Sequence, residues 1–416
     1  MKKYLIQILC VIAMILSLYG FSSCAESVEL IFELSQDGQS YILSNIRFSD
    51  NFDEERDRVA ITIPKEYNGL PVSAIGDEVF SGSHWLTKVT IPDTITSIGD
   101  KAFAYCQRLQ SIDLPDALVS IGSQAFSCFK GSEIDLPDSL TYIGTKAFSA
   151  SNLTSVTIPA NATLGEHVFL NCEKIETATY KQGATCTGVG AFSNSMVKTV
   201  VLPDSITHIS DNSFSSCYVL TTINFPEGLV EIGERAFSGD AHLTNVVLPN
   251  SLKRIGDYAF SDLVYLESIS IPQVDSIGDC AFEFCNNLAT ISLADGIQEI
   301  QSSSFRYTAF ARDESNWKNG LLYIGTYLID STYQLGFPKI FRVKDGTITI
   351  ASGVFYFMES DGYVQIPASV TRVCGNAIAT IDVQCEAEEQ PETWAENWYN
   401  DEFRSKPPFI LWGQDF

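Results

Sequence analysis

Along residues 86–112 the apolar positions fall in a broken rhythm. Leu86, Val89 and Ile91 come first with Lys88 and Thr90 between them, then Ile95 and Ile98, then the pair Ala102-Phe103. The alternation through Val89-Thr90-Ile91 predicts a short strand that sends Leu86, Val89 and Ile91 to one side and its polar residues to the other. Pro92 has no N–H for a ladder, so the strand ends there, and Asp93 can bond nearby N–H groups and hold a turn. Ile95 and Ile98 return along an opposite wall. Gly99 is expected to permit a tight corner, and Ala102-Phe103 to point back inward from a short helical or 3₁₀ turn.

The same phrase then recurs. Phe80, Phe103, Phe126, Phe148, Phe169, Phe192, Phe214, Phe237, Phe260, Phe282 and Phe305 lie 21 to 23 residues apart, a period of 22 or 23. Ile75-Gly76, Ile98-Gly99, Ile121-Gly122, Ile143-Gly144, Ile232-Gly233, Ile255-Gly256 and Ile277-Gly278 precede the Phe by about five positions. A second marker is the apolar-Pro pair at Ile91-Pro92, Leu114-Pro115, Leu136-Pro137, Ile158-Pro159, Leu202-Pro203, Phe225-Pro226, Leu248-Pro249 and Ile271-Pro272. One copy cannot close a core, but about eleven stacked copies bury each other's Leu, Ile and Phe in continuous ladders. The predicted fold is a leucine-rich repeat solenoid, β-rich with short helical or 3₁₀ turns, with a parallel-strand ladder on its concave face and a cap at each end.

Order, period and corner residues resemble the BspA-like, or Treponema-type, subfamily of bacterial leucine-rich repeat proteins. The resemblance covers most of the chain after residue 25. It divides the sequence into a signal peptide (1–25), an N-terminal hairpin cap (26–57) turning at Asp37-Gly38, the repeat array (58–310), a β-hairpin insertion (311–342), resumed repeats (343–384) and a C-terminal cap (385–416). The segment "NWKNGLLYIGTYLID" is similar to an insertion common in that family. Trp394, Trp398, Phe409 and Trp412 are expected to cover the open end of the coil. Units around 160–195 depart most, with Leu164-Gly165 and Tyr180-Lys181 in place of the markers, and a local change of curvature is expected there. The resemblance implies adhesion: BspA-like proteins are associated with attachment to host matrix proteins such as fibronectin and fibrinogen, with contacts between bacteria and with exposure to the host immune system.

Composition narrows the partners. A formal charge of -25, from 26 Lys+Arg against 51 Asp+Glu, repels phosphate backbones and anionic membranes, so no nucleic acid is expected. Lys2 and Lys3 followed by the apolar stretch to Phe21 read as a secretory signal. Phe21-Ser22-Ser23-Cys24 resembles a lipoprotein box in which Cys24 is acylated; Ser23 and Ala25 equally fit ordinary cleavage, and a retained helix is the third reading. All three export the chain, to the cell surface or beyond it, and the only membrane contact expected is a lipid at Cys24.

No G-x-S-x-G, H-E-x-x-H, Walker loop or paired C-x-x-C occurs, and His84, His167, His208 and His242 occupy different phases of the repeat. No catalysis, cofactor or metal is expected. Cys106, Cys172, Cys217 and Cys285 stand three residues after the repeat Phe, which suggests buried thiols; bridges from Cys106 to Cys128 or Cys374 to Cys385 are the other reading. Asp93, Asp116, Asp138 and Asp204 follow proline, and Asp77, Asp100, Asp257 and Asp279 follow Ile-Gly. Turn capping and a calcium ladder compete to explain them, and Ser123, Thr145, Asn250 and Gln301 at equivalent places favour capping. Asn152 and Asn161 lie in Asn-x-Thr sequons.

What remains is the outward side of the strands: Lys88 and Thr90, Ser111 and Asp113, Glu133 and Asp135, Ser155 and Thr157, Thr199 and Val201, Thr222 and Asn224, Asn245 and Val247, Ser268 and Ser270, Thr290 and Ser292. This face is the candidate site for an extracellular protein or glycan, host matrix proteins included, in an adhesin-like role. It carries few aromatic or Arg anchors, so an extended, moderate-affinity contact is expected. A surface spacer or scaffold without a dedicated ligand is the alternative. The aromatics Trp317, Tyr323 and Tyr327 make the insertion a rival site, unless they cover core.

Overall fold

The computed structural model describes residues 28–331, 340–356, 362–379, 381–399 and 409–416. The signal segment and Cys24 lie outside them. Three hydrogen-bonded walls run along the stacked coils, where the sequence suggested one ladder of strands.

The first wall is built from the Ile-Gly marker. Ala74-Ile75, Ser97-Ile98, Ser120-Ile121, Tyr142-Ile143 and Thr163-Leu164 pair in parallel, each Ile opposite its counterpart. The ladder runs again through His208-Ile209, Glu231-Ile232, Arg254-Ile255, Ser276-Ile277 and Glu299-Ile300. Tyr41–Phe48 joins its start in parallel with Leu70–Ile75 and pairs antiparallel with Val28–Leu34, which extends the sheet by a hairpin.

Glycine's role on this wall differs from a tight corner. Gly99, Gly122 and Gly144 do not have positive φ. A Cβ on Gly122 would stand 2.6 Å from the backbone N of Asp100 and from the carbonyl carbon of Gly99, so the coils touch backbone to backbone there. Gly122→Ala is expected to cost about 1–3 kcal/mol, read from chemical denaturation, because rigid neighbours must part. A cost within error of zero would show that the coils separate freely.

The strand before proline forms the second wall, an interrupted one. Val59–Thr62 pairs with Leu86–Thr90. Ser155–Ile158, Thr177–Tyr180, Thr199–Val201 and Thr222–Ile223 form one parallel run, and Ser268–Ile271 with Thr290–Leu293 another. Coils at 111–114, 133–136 and 245–248 bury Ile112, Ile134 and Val246 in the same phase but form no ladder strand.

The third wall carries the Phe and is neither helical nor 3₁₀ over most of the array. The residues two before and two after the Phe adopt left-handed φ, as at Lys101 (52°) and Tyr105 (60°) or Lys146 (56°) and Ala150 (55°). This turns alternate N–H groups along the solenoid: Lys101, Phe103 and Tyr105 donate to the carbonyls of Ser123, Ala125 and Ser127 in the next coil. Those between, Ala102 and Ala104, donate within their own turn to Gly99 and Lys101. Every donor in the corner therefore has a partner, which offsets the roughly 1–2 kcal/mol that a left-handed residue costs.

Inside, the eleven Phe rings from Phe80 to Phe305 form one column. Successive centroids are 5.0–5.9 Å apart and the planes lie within 3–14° of parallel. At the N-terminal end the buried Trp85 meets Phe48 and Phe52 edge to face. At the other end Trp394 and Trp398 are buried against one another with Trp412 beside them, but Phe409 is 68% exposed and covers nothing. The chain around Phe409 runs parallel to Val383-Gln384 at the rim, so its side chain faces solvent.

Candidate binding face

The polar strand positions stand in register on the second wall. Ser155, Thr177, Thr199 and Thr222 are opposed in one row, and Thr157, Thr179 and Val201 in the next, while Val156, Ala178, Val200 and Ile223 point inward. Of the eighteen outward positions, Lys88, Thr90, Ser111, Asp113, Glu133, Asp135, Ser155, Thr157, Val201, Thr222, Asn224, Asn245, Val247, Ser268, Ser270, Thr290 and Ser292 are exposed and Thr199 is half-buried. Thr177 and Thr179 complete the rows and escaped notice because their coil lacks both markers. There Tyr180 replaces the apolar residue before proline, buried, and its hydroxyl donates to the Thr187 carbonyl at 2.8 Å. Thr187, in the place of the ladder Ile, holds Ser213 Oγ at 2.7 Å and accepts from the Ser210 N–H at 2.9 Å. The threonine spacing was the available signal.

Not every polar group on this face is free. Asn224 accepts from the Leu202 N–H at 2.8 Å and donates to the Leu202 carbonyl at 2.7 Å, so its amide continues the ladder where strand pairing stops. Ser292 donates to Ser270 at 3.0 Å. Lys65 and Asp93, and Lys198 and Glu176, form exposed ion pairs between coils, which solvent screens and which contribute little to stability.

Acids at the Ile-Gly phase bond backbone, whereas Asp93 and Asp138 after proline pair with Lys65 and Lys181. Asp77 accepts from the Asp100 N–H, Asp100 from Ser123, Asp211 from Glu234 and Asp257 from Asp279, at 2.6–2.8 Å. Each carboxylate thus caps the next coil, and among the described residues no three His, Cys, Asp or Glu side chains gather as metal ligands.

All nine described cysteines are free, Cys106, Cys128, Cys374 and Cys385 included. The thiols of Cys106, Cys172, Cys217 and Cys285 donate to the carbonyls of Phe80, Phe148, Phe192 and Phe260, each from one coil to the coil before it. Burial pushes Cys106 and Cys285 up to about 12 and Cys172 to about 11, which leaves them protonated donors. At the same phase in the coil of Phe237 stands Asp240, fully buried; this outlier was visible as an acid in a cysteine position.

In the insertion, Tyr327 is buried, donates to the Ala294 carbonyl and accepts from the Ile297 N–H; the Tyr323 hydroxyl accepts from the Lys344 N–H. Both are structural. Tyr327–Ser331 pairs antiparallel with Leu321–Ile324 and in parallel with Thr349-Ile350, so the hairpin's second strand serves as a rung of the first wall.

Coils of 22 or 23 residues, stacked through parallel ladders about 14 turns long, define a leucine-rich repeat β-solenoid. The chain belongs to the BspA-type leucine-rich repeat family: six copies of that repeat region match, over residues 73–198, 161–266, 185–312 and 253–384. Among solved structures it is similar to a leucine-rich cell surface protein from Faecalibacterium prausnitzii, 25% identical over 87% of this chain and 93% of that one, with a TM-score of 0.46. A leucine-rich repeat protein from Bacteroides ovatus is 21% identical over 84% and 95%, with a TM-score of 0.44. The pneumococcal vaccine antigen PcpA is 18% identical over 83% and 95%, with a TM-score of 0.43. No curated protein is significantly similar to the chain. Among the described residues no helix is long and apolar enough to cross a membrane.

Proposed function

We propose that this chain is a non-catalytic, exported binding protein that presents the second wall to an extracellular protein or glycan in an adhesin-like role, anchored through Cys24 or released. The observation that supports this is the aligned rows of short polar side chains, Ser155, Thr177, Thr199 and Thr222 in one and Thr157 and Thr179 in the next, exposed at Ser155, Thr157 and Thr222 and half-buried at Thr177, Thr179 and Thr199, held at strand spacing by a ladder beneath them. Such a surface offers many hydroxyls in fixed order and little to anchor a single deep contact, which suits an extended partner bound by repeated weak contacts. The family and fold are typically non-catalytic. One observation favours the spacer reading: Asn224, Ser270 and Ser292 bond within the wall, as in a surface that only solvates itself.

The test is binding of purified residues 26–416 to immobilised fibronectin, fibrinogen, other matrix proteins and glycans, beside a variant carrying Asp at Thr157, Thr222, Asn245 and Ser268. Saturable binding that falls at least tenfold in the variant is expected. Binding that survives all four changes would move the site off this wall, and no binding by folded protein would favour the spacer.

A further inference from the structure

The Phe column runs coil by coil to Phe305 and then breaks. A helical turn at Ala309–Arg312 and the hairpin intervene before Phe355. Where the wall breaks, the coil ending at Tyr307, the base of the hairpin and the coil at Ser352–Tyr356 enclose a cleft of ≈ 1120 Å³, just above the roughly 300–1,000 Å³ usual for small-molecule sites. It lies on the Phe wall and the insertion, apart from the strand face proposed above.

Its lining combines aromatic faces with mixed polar groups. Trp317 is fixed as a platform, since its Nε1 donates to the Ala311 carbonyl at 2.8 Å. Tyr307, 49% exposed at the cleft, stacks at 4.8 Å and 10° on Phe284, itself 41% exposed, and the pair leaves apolar ring surface in water. Asp330 is largely withdrawn from water and accepts only the adjacent Ser331 N–H among its described bonds, at 2.8 Å. Arg306 is exposed and forms no ion pair among the described residues, although its charge reaches Asp330. At the floor, the buried Ser352 hydroxyl has no hydrogen-bond partner among the described residues.

We infer that this cleft binds an uncharged saccharide, with a sugar ring stacked on Trp317 or Tyr307 and its hydroxyls shared between Asp330 and Arg306. Charge, polarity and shape each point to that class. Arg306 and Arg312 line the cleft together with Asp279, Glu283 and Asp330, a near balance that selects neither a cation nor an anion. An anion must moreover approach a chain of net charge -25. A sugar hydroxyl both donates and accepts, so it can satisfy a carboxylate and a guanidinium at once, and buried polar groups left unpaired are costly enough to give selectivity. The exposed ring faces supply the apolar contact that a pyranose C–H face needs.

The experiment titrates residues 26–416 with glucose, galactose, mannose, N-acetylglucosamine and their β-linked disaccharides, followed by Trp fluorescence and by saturation-transfer NMR. The same titrations are run on Trp317→Ala, Asp330→Asn, Arg306→Ala and the four-Asp strand-face variant. At least one sugar is expected to bind saturably, with affinity reduced at least tenfold by Trp317→Ala and by Arg306→Ala and unchanged in the strand-face variant. Since Arg306 is exposed, its loss leaves folding intact even should Asp330→Asn or Trp317→Ala unfold the hairpin. Binding of none of these sugars by folded wild-type protein, binding unaffected by all three cleft changes, or tighter binding of a charged control such as lysine or glucuronate would overturn the assignment. The strand-face proposal stands or falls separately, because only the four-Asp variant touches it.

Discussion

Phe148→Ala is expected to destabilise the array by about 3–5 kcal/mol, the range for removing a buried aromatic, and to be among its most damaging single changes. Phe148 is fully buried and lies between Phe126 at 5.3 Å and Phe169 at 5.5 Å, almost parallel to both. Truncation leaves a ring-sized cavity that two hydrogen-bonded walls keep from collapsing, and it also removes two ring contacts worth about 0.5–1.5 kcal/mol each beyond their area. In a solenoid each coil is held mainly by its neighbours, so the loss falls on two interfaces at once. Denaturation followed by both far-UV circular dichroism and Trp fluorescence should show the array parting near coil 148, with the Trp-rich C-terminal end retained to higher denaturant. Phe148→Leu, which keeps most of the volume, should cost less than half as much. A loss under 1 kcal/mol for Phe148→Ala would mean that the column is not what holds the coils together.

Asp240→Cys is expected to act in the other direction. Asp240 Oδ1 accepts from the Cys217 N–H at 2.8 Å, but Oδ2 is buried with no hydrogen-bond partner among the described residues. Burial raises its carboxyl well above the usual carboxylate range, and the Cys217 N–H only partly opposes this. The folded protein therefore holds a proton that the unfolded chain releases above about pH 3.9. Stability from this group is fully present below that pH and declines as pH rises toward the folded value, by about 1.4 kcal/mol per unit. A thiol in this phase matches four other coils, and Cys217 keeps its N–H bond to the Phe214 carbonyl at 3.0 Å. Asp240→Cys should thus be more stable than wild type by about 1–3 kcal/mol even at pH 3.5, the cost of one unsatisfied buried polar group, and its advantage should grow further as pH rises from 4 to 8. Asp240→Asn, which cannot ionise, should remove the same stretch of pH dependence. Because the net charge of -25 has its own pH dependence, the readout is the difference between variant and wild type across pH. A difference that does not change with pH would show that Asp240 is not the titrating group.

Much of this molecule is legible before it folds, because a repeat states its own rules many times. The period, the inward phases of Leu86, Val89, Ile95, Ile98 and Phe103 and the phase-locked cysteines follow from counting, since a side chain that must meet its copy in the next coil has little freedom to vary. The outward set, Thr90 through Thr290, follows from strand alternation by the same logic. Counting also misleads where a residue serves the neighbouring coil. Gly99 suggested a corner, yet Gly122 and Gly144 show that this position brings two backbones together. Phe409 looked like cap material, and register at the rim turned it to solvent.

Order within the coil was set by sequence: period, inward and outward phase, strand ends at proline. Contacts between coils were decided only in three dimensions. The left-handed residues flanking the column's Phe range over Lys, Glu, Arg, Asp, Tyr, Phe, Gln, Asn, His, Cys, Ser, Ala and Gly, with no shared side-chain chemistry, because stacking of backbone on backbone imposes their φ. The cleft beside Trp317 depends on a hairpin strand becoming a rung beside Thr349-Ile350 and leaving a gap in the Phe wall, a pairing between segments distant along the chain. Local pattern specifies which way a residue points; what it meets there is settled by the coil that arrives beside it.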